Sequence, residues 1–144
     1  MADSERRSII GRIPGGLTPW SRAAFRPLAV ASGLYLLVLI FYTHVPRPEK
    51  FLPANPPGDK TLHLLAYGVL GGLVCSTAAA RGGWSMRLGL SLVGGLLVFA
   101  MLDEATQPFF GRYADLFDWL FDGLGLVAGM IAVAMGVAGL RAWR

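Results

Sequence analysis

The sequence predicts an all-α integral membrane protein: four transmembrane helices in an antiparallel bundle, with N and C termini cytoplasmic. Three observations predict it. Hydrophobic residues make up 54% of the 144 residues and charged residues only 15%, whereas soluble domains carry about 25% charged residues. Four long stretches are free or almost free of charge. The arginines crowd into the segments that one side of the membrane would hold.

The first two spans follow from length alone. Twenty residues between Arg26 and Arg47 carry no charge, and twenty more separate Lys60 from Arg81, which matches the ~20 residues that a membrane-crossing helix needs. The third stretch, between Arg87 and Asp103, has only fifteen. That is about 22 Å of helix against a hydrocarbon core of ~30 Å, so the span must take in Asp103 or Glu104. Pro108 disfavours helix in the residue before it and places the end near Gln107. The fourth span contains the eighteen uncharged residues Gly123 to Leu140. The expected spans are about 27–45, 61–80, 87–107 and 116–140, within a membrane domain of residues 26–144. A basic cytoplasmic segment, residues 1–25, precedes it. That segment has no apolar run of signal-peptide length and is expected to stay attached.

Charge then orients the chain. With four crossings, nine Lys and Arg residues and two acids fall on the side of the termini, for a net +7. Four basic and seven acidic residues fall on the other, for a net −3. An excess of basic residues marks the cytoplasmic side. The pI of 9.7 therefore reflects arginines that flank spans and meet anionic lipid, not a nucleic-acid surface, since no aromatic platform accompanies them. Cys75, in the middle of the second span, packs as a small apolar side chain.

Five of the nine acids lie in DEATQPFFGRYADLFDWLFD, Asp103 to Asp122, beside apolar spans. Asp59, His63, Tyr67 and Gly71 recur every four residues and form one stripe on the second span, and Asp115, Asp118 and Asp122 form another on the fourth. Gly71, Gly125 and Gly129 continue these stripes as close-approach positions. Asp59 and Asp115 fit helix N-caps. Asp103 and Glu104 stand at a helix C-terminus, where an acid is disfavoured by ~0.3 to 1 kcal/mol, and Asp122 lies two turns inside its helix. These three need partners; Arg112 is the nearest candidate, then Lys60 and His63. His44 and the tryptophans Trp20, Trp84, Trp119 and Trp143 fall where interfacial anchors belong.

The elements D-K-x-x-H-x-x-x-Y at Asp59, Lys60, His63 and Tyr67, D-E-x-x-Q at Asp103, Glu104 and Gln107, and G-R at Gly111 and Arg112 followed by Asp118, Asp122, Gly125 and Gly129 occur in order, each beside a span. In this the chain resembles the VanZ-like membrane protein family over roughly residues 28 to 140. The resemblance implies a cell-envelope protein of the bacterial plasma membrane, with a part in resistance to the glycopeptide teicoplanin, the trait of the member that gave the family its name. It implies as partners the lipid bilayer and a lipid-linked envelope precursor or glycopeptide.

Two functions are expected from the residues. In the first, an outward-facing pocket of Asp59, Lys60, His63, Tyr67, Asp103, Glu104, Gln107, Arg112, Asp118 and Asp122 binds or modifies a polar headgroup. There Arg112 and Lys60 hold phosphate or carboxylate, and His63, Glu104 or Asp118 is available for proton transfer. In the second, the same groups form a non-enzymatic ion-pair network that fixes helix register or serves a partner protein. Proton or cation transport ranks below both, because no acid continues the path into the inner half. Asp103, Glu104, Asp118 and Asp122 offer the oxygen ligands that hard cations take, but no EF-hand-like loop accompanies them, so no metal and no cofactor are assigned. Ser76, Ser85 and Ser91 fall toward the other side, which argues against Ser-His-Asp hydrolysis. A chain this small also suits a homo-oligomer.

Overall fold

The computed structural model describes residues 19–51, 54–82 and 85–142. Among them there is no strand; four helices carry the fold, and each is long and apolar enough to cross a membrane. They are α1 (Pro19–His44), α2 (Asp59–Arg81), α3 (Met86–Thr106) and α4 (Leu116–Ala142). Most of residues 1–25, together with Trp84 and Trp143, lie outside the described residues.

The apolar parts of these helices, Ala23–His44, Asp59–Arg81, Met86–Phe110 and Leu116–Gly139, correspond to the four expected spans. One boundary differs. Helix α1 starts at Pro19, ahead of the expected residue 27, so Pro27 lies inside it. Proline is tolerated within membrane helices because neighbouring groups satisfy the backbone carbonyl it leaves free.

Local chemistry fixes the other ends. Helix α2 stops at Gly82, whose φ of 98° is left-handed and whose N–H donates to the Ala79 carbonyl, the usual way a glycine closes a helix. Ser85 caps α3, its hydroxyl accepting from the Leu88 N–H at 3.1 Å. Helix α3 ends at Thr106, next to the expected position, and the chain tightens into a 3-10 turn, Gln107–Phe110, containing Pro108. Gly111, at φ 77°, then turns it toward α4.

Helices α2 and α4 form the closest pair. A Cβ on Gly71 would strike the Leu126 backbone, one on Gly125 the Leu64 carbonyl, and one on Gly129 the Gly68 carbonyl. The backbones touch because small residues face each other, as in small-xxx-small packing between membrane helices. The core around this seam is compact: Leu39, Tyr67, Leu70, Ala100 and Leu126. Large apolar side chains such as Leu34, Leu37, Val38 and Phe41 of α1 are exposed, a distribution suited to a lipid surround rather than water. Cys75 is buried, with its thiol 3.7 Å from the Met130 carbonyl oxygen.

Candidate functional site: a polar cluster and cavity at one end of the helices

The end of α1, the start of α2, the end of α3 and the start of α4 meet at one end of the molecule, and most of the expected site residues meet there with them. Three sets of polar contacts hold the four helices together.

The first set joins α2 to α4. The Lys60 ammonium donates to Asp115 Oδ2 at 2.9 Å and Asp118 Oδ1 at 3.2 Å, and it stands 5.5 Å from the Phe117 ring centroid. One turn deeper, His63 Nδ1 donates to Asp122 Oδ1 at 2.8 Å, with both side chains buried. With Asp122 ionised, its carboxylate only accepts and the proton of this bond sits on Nδ1. Asp115 caps α4, accepting from the Phe117 N–H at 2.8 Å. The Lys60 hydrogen bond, and after it that N–H, hold the Asp115 carboxyl below its ordinary range.

The second set joins α3 to α4. Glu104, which no cap could explain, accepts the Asp115 backbone N–H on one oxygen and the Gln107 amide on the other at 2.7 Å. The third set joins α1 to α3. Asp103 accepts from the Thr43 hydroxyl at 3.1 Å and lies 3.5 Å from His44 Nδ1, and His44 Nε2 is 2.9 Å from the Thr106 hydroxyl.

These contacts correct several expectations. Arg112 pairs with none of the acids among the described residues: Asp103 is served by Thr43 and His44, Glu104 by Gln107 and a backbone N–H, and Asp122 by His63. Asp59 is not the cap of α2. Gly58 occupies that position, there is no side-chain cap bond, and Asp59 is the first helical residue. His44 is more than an interfacial anchor, since it bonds to α3 and meets the Phe110 ring edge-on at 4.7 Å. Trp119 likewise turns inward, with its indole N–H donating to the Leu97 carbonyl at 3.0 Å. Reading the sequence also missed Thr43. Its only signal was a polar pair, Thr-His, at the end of an apolar run.

Beside the network lies a cavity of about 660 Å³ between α1, α2 and the loop after α3, lined by Leu39, Thr43, Asp59, His63, Tyr67 and Arg112 among others. Among the described residues Lys60, Asp103, Glu104, Gln107, Asp118 and Asp122 do not line it. The ten expected residues thus divide: four face the cavity and six brace the helices. Tyr67 is 0% exposed and its hydroxyl has no hydrogen-bond partner.

No family model, curated protein or solved structure matches this chain. A buried hydroxyl left without a partner costs ~1–3 kcal/mol, so its retention calls for a reason. Arg112, Tyr67, His63 and Asp59 bring a guanidinium, a phenol side chain, an imidazole and a carboxylate to the walls of one cavity. Such a set can hold an anionic or hydroxyl-bearing group.

Proposed function

We propose that this chain is a VanZ-like membrane protein of the cell envelope, set in a bacterial plasma membrane, whose cavity faces outward and binds a polar or lipid-linked headgroup. The observation that carries this reading is a cavity lined by both Arg112 and Tyr67, the latter with a fully buried hydroxyl that has no partner. A phosphate or carboxylate there accepts from both donors, and its acyl or isoprenyl tail continues along the exposed apolar faces of the helices.

The orientation rests on two supports. Contacts between Arg81 and Phe25 and between Tyr35 and Ala66 run α1 and α2 in opposite directions, and those between Trp119 and Leu97 and between Asp115 and Glu104 do the same for α3 and α4. This favours an antiparallel bundle. The basic excess on the side of the termini favours cytoplasmic termini, which puts the cavity at the outer leaflet. The proposed link to teicoplanin response comes from the family resemblance.

A second reading is favoured by the closed pairs Lys60–Asp115, Lys60–Asp118 and His63–Asp122, which suit a register-fixing network with no ligand. The two readings use different residues. Changing Arg112 to alanine separates them: headgroup binding and any teicoplanin phenotype are lost at normal abundance under the first reading and unaffected under the second.

A further inference from the structure

Asp59, His63 and Asp118 bring one ligand atom each to within 4.8 Å of one another, at the edge of the cavity where α2 and α4 begin. We propose that these three residues bind a divalent transition metal, best matched by zinc, with an open coordination position toward the cavity.

The donor set is the first argument. One imidazole and two carboxylates make a three-ligand zinc site of the kind that leaves a fourth position open. Tetrahedral bonds of ~2.0–2.1 Å put ligand atoms about 3.3 Å apart. His63 Nε2 is 4.0 Å from Asp118 Oδ2, so these two need to close by well under 1 Å, and the exposed Asp59 side chain is free to swing in.

The orientation of His63 is the second. Its Nδ1 is held by Asp122 at 2.8 Å. In the neutral ring with its proton on Nδ1, the Nε2 lone pair is free for a metal, and Nε2 stands 4.0 Å from Asp118 Oδ2, too long for a hydrogen bond. A carboxylate behind the imidazole, fixing tautomer and ring angle, is the support that metal-bound histidines usually have. The residue is only 7% exposed, so the ring is held in place where α2 meets α4.

The third is Tyr67, one turn deeper on the same face of α2, which lines the same cavity as Asp59 and His63 and whose buried hydroxyl has no partner. Charge points the same way, because four carboxylates, Asp59, Asp115, Asp118 and Asp122, gather around one lysine and one imidazole. Lys60 holds Oδ1 of Asp118 and leaves Oδ2 for the metal.

The test uses the full-length protein, stripped of metal in detergent and titrated with zinc alone by calorimetry, with no headgroup present, so that failure here leaves the headgroup reading untouched. One zinc per chain is expected. Asp59→Asn, a change at an exposed position, and His63→Gln are each expected to weaken binding at least tenfold, with cobalt substitution giving a visible absorption band that His63→Gln removes. A wild-type protein that takes up no zinc, or a change under tenfold in either folded variant, overturns the proposal.

Discussion

His63 of α2 and Asp122 of α4 share a 2.8 Å hydrogen bond between two buried side chains, on the face where the two helix backbones touch. Polar recognition and glycine packing thus follow the same seam, so neither helix can slide without breaking both.

Removing one partner leaves the other buried and unmatched. His63→Ala is expected to destabilise the protein by ~3–5 kcal/mol, the usual cost of an orphaned buried charge. Asp122→Asn, which still accepts from the imidazole, should cost less, ~1–3 kcal/mol. Thermal unfolding of detergent-solubilised variants measures both, and equal, negligible losses would show that the pair does not bind α2 to α4.

The seam itself can be probed with a methyl group. A Cβ on Gly129 would strike the Gly68 carbonyl, whereas one on Gly136 meets nothing within 4 Å. Gly129→Ala should cost ~1–3 kcal/mol or more through overpacking, and Gly136→Ala should stay within about 0.5 kcal/mol of wild type.

The contacts that escaped the sequence reading are those between elements far apart in the chain. Hydropathy alone marked the four helices because a membrane span needs only length and apolarity. The polar stripe Asp59, His63, Tyr67 was legible because residues four apart share a helix face. Nothing local marks Thr43 and His44 as partners of Asp103 and Thr106, which lie some sixty residues on. Arg112 drew attention as the closest basic residue, but distance along the chain is a poor guide to pairing. Lys60 took Asp115 and Asp118 because α2 and α4 begin side by side.

Acid should loosen one contact in a defined direction. The hydrogen bond from Lys60 holds the Asp115 carboxyl below its ordinary value. A depressed folded-state pKa contributes stability that is full above the unfolded value of ~3.9 and is lost as pH falls through the lower folded value. Wild type should therefore lose stability below about pH 4, and Asp115→Asn, which keeps the cap, should lose that part of the slope. Melting temperature against pH, in stable detergent, checks it; identical slopes would contradict it.

Topology is accessible to labelling, because Cys75 is buried and gives little background. Tyr113→Cys, at an exposed loop position beside the cavity, should react with an impermeant maleimide added to intact cells. Arg87→Cys, exposed at the other end, should react only after the membrane is opened. Labelling of both from outside would contradict an outward-facing cavity.

The most direct measurement is binding of a polyprenyl phosphate to wild type, Tyr67→Phe and Arg112→Ala in lipid nanodiscs, read by native mass spectrometry together with melting temperature. Ligand occupancy should fall at least tenfold in both variants, with Arg112→Ala melting like wild type. Tyr67→Phe should melt at the same temperature or higher, since it removes only an unsatisfied hydroxyl. Unchanged binding in both folded variants would contradict the claim that this cavity is built for an anionic headgroup.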